Sequence, residues 1–135
     1  MFLRLLLAAF LLAHGLIHAS FLSRRPPDTP GAPEWAFDLG HSWLLSPLRL
    51  QPRLLRILGL ALIAATVAGF ALGAIATVGL LPTSVWPAAV SVGGVASVAL
   101  LLLFFRLWLM LGIIIDAVIL WAALVAGWTP ERLSM

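Results

Sequence analysis

Apolar residues fill most of this chain in four long runs, which short polar stretches separate. A helix needs about 20 consecutive apolar residues to cross a hydrocarbon core of about 30 Å, and each of the four runs reaches that length. The pattern therefore predicts an all-α fold, a bundle of four transmembrane helices in a single domain of residues 1–135. The predicted spans cover residues 2–22, 54–81, 86–105 and 107–128.

Two features of these runs allow a second interpretation. Only residues 104–107 separate the third run from the fourth, so a single kinked helix competes with two spans. Two spans are favoured because the combined run is about twice as long as one crossing requires. The first run could be a cleaved signal peptide headed by Arg4, but it is too long for a typical signal and residues 18–20 make a poor cleavage site. We therefore expect the first helix to stay in the membrane.

The stretch between the first two spans, residues 23–53, holds most of the polar positions. Its first part is rich in proline and is predicted to be extended. Over residues 34–45, Trp35, Leu39 and Trp43 recur every fourth position, which on a helix makes one apolar stripe. We predict a short amphipathic helix there that lies in the lipid headgroup region, either as a simple connector or as a lid or docking surface. Tryptophans favour this interface, and the predicted interfacial anchors are Trp35, Trp43, Trp108 and Trp128.

Small residues recur at every fourth position along the second and third spans. The glycines of these stripes are Gly69, Gly73 and Gly93, and the other members are Ala61, Ala65, Thr77, Ala89 and Ser97. Small side chains let helix backbones approach closely in a membrane, where no hydrophobic force drives helices together. The stripes therefore predict helix–helix packing, and leave open whether it occurs inside one chain or between copies.

Composition supports the membrane assignment and excludes several kinds of chemistry. The chain of 135 residues is 63% hydrophobic and 10% charged, with a mean hydropathy of +1.14. It contains no cysteine, which excludes thiol redox chemistry and thiolate metal sites, and no tyrosine, which excludes a tyrosyl relay. Its eight cationic residues are all arginine, a bias that suggests a bacterial genome of high GC content.

The arginines lie beside the spans rather than along one surface, so they indicate membrane topology and argue against a nucleic-acid partner. One side of the predicted bundle carries Arg24, Arg25, Arg49, Arg53, Arg56 and Arg106, and the other carries Arg4 and Arg132. By the positive-inside rule, the loop of residues 23–53 is predicted to be cytoplasmic and both termini to lie outside. The predicted location is the cytoplasmic (inner) membrane of a bacterium.

Apart from Arg4 and Arg56 near the ends of their runs, three ionisable residues lie within the apolar runs, His14 and His18 in the first span and Asp116 in the fourth. A carboxylate at the bilayer centre costs about 2.5–3.5 kcal/mol on insertion scales, so it normally faces a partner or a cavity. His14 and His18 lie on one helix face, about one turn apart. Measured from the loop side at 1.5 Å per residue, His14 lies about 12 Å deep and Asp116 about 13 Å deep. We therefore predict a contact between them inside the bundle.

Three interpretations of these residues are open. The first is a structural hydrogen-bonded pair that fixes how the helices pack. The second is a site that holds a small lipophile or relays a proton. The third is ligation of a metal or tetrapyrrole, since His14, His18 and Asp116 offer three donors suited to zinc or iron. Both imidazoles project from one side of one helix, so they cannot clamp a haem from both faces, and the remaining histidine, His41, lies in the loop.

Sequence signatures of enzymes are absent, since the chain has no phosphate-binding loop, no nucleophile elbow and too few carboxylates for a dinuclear metal centre. In layout, and in residues 14–18, 35–43 and 108–116, the chain resembles small bacterial four-helix membrane proteins of the DoxX-like group. The resemblance implies a four-helix fold and a redox or stress function, usually as an accessory membrane subunit. The absence of cysteine argues against a thiol-linked form of that role.

The sequence thus predicts a non-enzymatic accessory or assembly subunit of a membrane complex. The alternative is a membrane protein that binds a metal, a haem or other pigment, or a lipophilic redox ligand through His14, His18 and Asp116. No cofactor is expected under the first function. The predicted partners are the lipid bilayer and either another membrane protein or a second copy of this chain.

Overall fold

The computed structural model of the protein describes residues 1–23 and 37–134. The predicted all-α fold is confirmed, because four helices in the described chain are long and apolar enough to cross a membrane. These spans are Phe2–Leu22, Pro52–Thr77, Val85–Leu103 and Leu107–Val125. Their α-helical parts are α1 (Phe2–Ala19), α2 (Pro52–Thr77), α3 (Val85–Leu103) and α4 (Met110–Leu120). Short 3-10 turns extend α1 and precede α4, and a π-helical turn over Trp121–Val125 continues α4. The chain is a multi-pass membrane protein.

Local sequence explains where α2 begins and ends. Pro52 occupies the first position of the helix, where its missing N–H is no loss and its fixed φ suits the helix. At the other end, Gly79 has a φ of +84°, and the backbone N–H groups of Gly79 and Leu80 bond to the carbonyls of Ala76 and Ile75. This glycine-terminated cap ends α2 four residues before the predicted boundary.

The third and fourth runs form two separate helices rather than one kinked helix. Helix α3 ends at Leu103, and the backbone of Arg106 is extended, with φ −139° and ψ 153°. The two helices then pack antiparallel, since Gly94 faces Leu120 and Gly112 faces Leu101. The chain reversal needs no glycine because only a few residues leave the helical conformation.

The described part of the loop differs from the sequence prediction. Residues 37–45 form turns rather than the predicted amphipathic helix, and a single 3-10 turn over Ser46–Leu48 follows. The physical reason is a set of contacts with the end of α3, where the Ser42 hydroxyl donates to the Leu103 carbonyl and the Trp43 indole N–H donates to Leu102. These contacts satisfy carbonyls that a helix end leaves without intrahelical partners. The rest of the predicted helix, including Trp35, lies outside the described residues.

The small-residue stripes pack inside the chain. A Cβ atom added at Gly69 of α2 would lie 2.5 Å from the backbone nitrogen of Gly93 in α3 and 2.7 Å from the carbonyl oxygen of Ala89. A Cβ atom added at Gly73, one turn further along α2, would lie 2.6 Å from the side chain of Val90. Helices α2 and α3 therefore run antiparallel in backbone contact, which only the absence of side chains permits.

Two clusters of buried apolar residues stabilise the bundle at its two ends. The cluster near the termini contains Ala8, Leu11, Phe70, Ala74, Ala76, Trp86, Val90 and Ala123. The cluster near the first loop contains Phe37, Ile63, Leu100, Leu101, Phe104 and Leu109. The residues between these two sets form a middle layer, and that layer holds the polar side chains of the candidate site, which come from α1, α3 and α4.

Hydrogen bonds at one end of the bundle show which segments share it. The Arg4 guanidinium donates to the carbonyl of Pro130 at 3.1 Å, and the Thr83 hydroxyl donates to the carboxylate of Glu131. Both termini and the connection between α2 and α3 therefore lie together. The first loop lies at the opposite end, against the last turn of α3. Four crossings bring the two termini to the same end, as observed.

Candidate functional site

Four polar side chains from three helices meet in the middle layer, and we call them the polar cluster: His14 and His18 of α1, Ser97 of α3 and Asp116 of α4. Asp116 and Ser97 are 0% exposed, His18 is 2% exposed and His14 is 5% exposed. The histidines share one face because they are four residues apart on a helix. Gly15 beside His14 lets α2 approach α1 closely, since an added Cβ would lie 3.3 Å from Phe70.

The members of the polar cluster form a continuous series of contacts. Nε2 of His14 lies 2.8 Å from Oδ1 of Asp116, which is the contact that the depth comparison predicts. The other carboxylate oxygen, Oδ2, is hydrogen-bonded to Oγ of Ser97. Oγ of Ser97 lies 2.7 Å from Nε2 of His18, and Nδ1 of His18 donates to the backbone carbonyl of His14 at 2.9 Å. The series therefore starts and ends at His14.

The series has four contacts, and each of them needs one hydrogen atom. Two neutral imidazoles and the Ser97 hydroxyl provide three, and an ionised carboxylate provides none. A carbonyl oxygen only accepts, so Nδ1 of His18 carries a hydrogen. Each of the three remaining contacts also needs one, and the Ser97 hydroxyl and Nε2 of His14 supply two of them. The last hydrogen comes either from Nε2 of a charged His18 or from a protonated Asp116. In both arrangements one added positive charge balances the carboxylate.

Aromatic rings surround the polar cluster and keep water away. Phe10 is stacked on the His14 ring at 6.0 Å between centroids, and Phe70 meets the same ring edge-on at 5.0 Å. Phe21 meets the His18 ring edge-on at 5.4 Å. Low polarity of this kind strengthens the hydrogen bonds inside the cluster and makes any unpaired polar group there costly.

A cavity of about 540 Å³ opens at the loop end of the bundle. Its lining includes Phe21, Asp38, Arg53 and Arg56. Phe21 is also stacked on Phe37, with 4.1 Å between centroids, so aromatic rings stand between this cavity and His18. The cavity and the polar cluster are therefore separate features of the molecule.

The polar cluster has the composition of a metal-binding site. His14, His18 and Asp116 each offer one ligand atom, and these three atoms lie within 4.8 Å of one another. Imidazole nitrogen and carboxylate oxygen are the donors that zinc and non-haem iron use in proteins. A tetrapyrrole does not fit, because the side chains are in direct hydrogen-bond contact and a macrocycle would have to separate α1 from α3 and α4.

Ser97 is the member of the site that sequence reasoning missed, since it was assigned only to helix packing. A usable signal was present, because Ser97 and Asp116 are equally far from the chain reversal near residues 106 and 107. Antiparallel neighbours at equal distance from a reversal lie at the same depth.

His41, the remaining histidine, lies outside the polar cluster. It is exposed in the loop and lines a different cavity together with Asp38 and Arg106.

The predicted interfacial anchors occupy different settings. Trp108 is 86% exposed at the start of the fourth span, whereas Trp43 is hydrogen-bonded to the end of α3. Trp128 packs edge-on against Trp86 at 5.2 Å, beyond the end of α4. The interfacial role of these residues stays a prediction.

Comparison of the chain with protein-family models, with curated proteins and with solved structures finds no match. The function is therefore inferred from the residues and their geometry.

Proposed function

We propose that this protein is a non-enzymatic accessory or assembly subunit of a membrane complex, in the cytoplasmic membrane of a bacterium. The observation that carries the proposal is the closure of the polar cluster on itself. Each contact in the series joins two groups of the protein, and aromatic rings cover the histidines. A buried network of this kind fixes how helices pack and needs no substrate to satisfy it.

The outer helix faces supply a surface for a partner. Only 28% of the α1 span and 17% of the α4 span are buried within the chain, compared with 50% of the α3 span. On α4, Leu111 and Val118 are 66% and 60% exposed. Either lipid or another transmembrane helix covers these apolar faces. An accessory subunit would use them to bind a transmembrane helix of its partner.

Photo-crosslinking in native membranes tests this function. A photoreactive amino acid replaces Leu111 or Val118 on α4, and a matched variant carries it at Val92 on α3, which is 59% exposed. We expect the α4 positions to give one discrete protein adduct and the α3 position to give lipid adducts. The adduct mass distinguishes a second copy of this chain from a different protein.

The accessory function would be wrong if crosslinking gave lipid adducts only, at both α4 positions and at a matched exposed position on α1 such as Leu16. A discrete adduct of equal yield from Val92 would also contradict the assignment of α4 as the contact face. Every variant is compared at equal expression in the same membrane.

The second candidate function is a membrane site that binds a metal, a pigment or a lipophilic redox ligand through His14, His18 and Asp116. Proximity of their three ligand atoms, within 4.8 Å, favours it. Direct contact between the side chains favours a single ion over a macrocycle or a lipophile. The similarity to the DoxX-like group and the cytoplasmic side of the first loop stay predictions.

A further inference from the structure

We propose that His14, His18 and Asp116 bind one divalent transition-metal ion of the Zn²⁺ or Fe²⁺ class, with Ser97 as a neighbouring oxygen donor. This inference rests on the second candidate function, and it uses the same polar cluster whose closure supports the accessory role. We name the ligand class and the ligand atoms.

The donor set and its spacing are the first support. In a tetrahedral site with bonds of about 2.0–2.1 Å, neighbouring ligand atoms lie about 3.4 Å apart. Nε2 of His14 and Oδ1 of Asp116 lie 2.8 Å apart, and Oγ of Ser97 and Nε2 of His18 lie 2.7 Å apart. Each of these pairs would have to separate by about 0.6–0.7 Å, or about 0.3 Å at each atom, to reach that spacing. The three proposed ligand atoms lie within 4.8 Å of one another, so any pair wider than this spacing would close by a similar kind of side-chain movement.

The orientation of His18 is the second support. Its Nδ1 donates to the backbone carbonyl of His14 at 2.9 Å, which leaves Nε2 directed toward Ser97 and Asp116. Histidines that bind metals commonly donate their other ring N–H to a carbonyl or carboxylate, which fixes both the tautomer and the ring orientation. The protein therefore holds this imidazole as a metal ligand requires.

A buried hydroxyl at the depth of the cluster is the third support. Oγ1 of Thr66 in α2 is buried and has no hydrogen-bond partner among residues 1–23 and 37–134. The antiparallel pairing of Gly69 with Gly93 places Thr66 at about the same depth as Ser97. Buried polar atoms without a partner are rare in proteins, so this hydroxyl has free hydrogen-bonding capacity at the depth of the proposed ion.

Cobalt binding to the detergent-solubilised protein tests the site. After treatment with a chelator, Co²⁺ is added and the visible absorption of tetrahedral cobalt is followed, with Zn²⁺ as competitor. We expect one Co²⁺ per chain and its displacement by Zn²⁺. Each of these measurements uses the unmodified protein.

Asp116→Asn separates metal binding from folding. The Asn carbonyl can accept from Nε2 of His14 and its amide can donate to Oγ of Ser97, which then donates to a neutral His18. All four contacts are therefore kept without an added charge, so the variant is expected to fold. Loss of the carboxylate ligand should weaken Co²⁺ binding at least about 10-fold. His41→Ala, which removes the exposed loop histidine, is the matched control and should bind like wild type.

Failure of the wild-type protein to bind Co²⁺ or Zn²⁺ would overturn the proposal. Equal affinity in Asp116→Asn, or loss of binding in His41→Ala, would do the same because the ion would then lie elsewhere. None of these outcomes alters the crosslinking result, so failure of the metal site and failure of the accessory function are distinguishable.

Discussion

Single residues decide the chemistry of this bundle, and Ser97 is the clearest example. Its hydroxyl joins Asp116 of α4 to His18 of α1 and so turns a pair of polar residues into a closed series. Ser91, six residues earlier on the same helix, has a buried hydroxyl with no partner in the described chain. The two serines have the same chemistry and different surroundings, which makes them a natural comparison.

We expect Ser97→Ala to lower the free energy of unfolding by about 1–2 kcal/mol, because Asp116 and His18 each lose a hydrogen-bond partner. Ser91→Ala should leave stability nearly unchanged, since its hydroxyl makes no hydrogen bond within the described residues. Thermal unfolding in one detergent, followed by circular dichroism, measures both. Equal melting temperatures for the two variants would mean that the Ser97 contacts do not stabilise the bundle.

Individual residues of the polar cluster also show which features of the site the sequence predicts. The common depth of His14 and Asp116 follows from the sequence because depth along a helix depends only on the rise per residue and on the position of the boundary. Which side chains meet at that depth, including the hydrogen bonds of His18 and Ser97, does not follow, because contacts depend on how each helix is rotated about its axis. That rotation is set by packing against the other helices.

At the scale of elements, close backbone contact between α2 and α3 organises the bundle. The sequence shows the small-residue stripes and predicts that they pack against a helix. The fold decides that this helix belongs to the same chain. A Cβ atom added at Gly69 would meet backbone atoms of α3. At Gly59, nearer the first loop, it would overlap the end of the Leu39 side chain and lie at ordinary contact distance, 3.4 Å, from the Phe104 ring. A side chain can rotate away from an added methyl group, and a helix backbone cannot.

We expect Gly69→Ala to destabilise the protein by about 1–3 kcal/mol, because the added methyl group forces α2 and α3 apart. Gly59→Ala is the control, and its gain in helix propensity of about 1 kcal/mol should offset the cost of moving Leu39. Both substitutions are compared by thermal unfolding in the same detergent. A larger loss of stability in Gly59→Ala would contradict the packing described for the two helices.

In the described part of the first loop, the helix predicted over residues 34–45 is wrong for residues 37–45. The spacing of Leu39 and Trp43 fits a helical stripe, yet residues 37–45 form turns. Apolar spacing describes a helix only when nothing competes for the backbone and side chains. Here Ser42 and Trp43 bond to carbonyls at the end of α3, and those partners are distant in sequence.

At the scale of the whole molecule, the bundle has two distinct ends. The termini and the connection between α2 and α3 share one end, and the first loop lies at the other. Which end faces the cytoplasm stays a prediction from the arginine distribution. The chain has no cysteine, so single cysteines can be introduced without removing any.

We expect Ser84→Cys, at the end shared with the termini, to react with a membrane-impermeant maleimide in intact cells. Ser23→Cys, at the loop end, should react only after the membrane is opened, because the positive-inside rule places the loop in the cytoplasm. Both positions are exposed serines, so the substitutions are matched in size and accessibility. The reverse labelling pattern would invert the predicted topology.

The sequence by itself determined the features that depend on position along a helix axis. These are the number of spans and the common depth of His14 and Asp116. The tertiary structure decided the features that depend on rotation and on contacts between distant segments. It closed the polar cluster through Ser97, placed the glycine stripes inside the chain, and folded residues 37–45 onto the end of α3. A bilayer constrains an apolar helix strongly along its normal and weakly about the helix axis, so packing has to supply the second constraint.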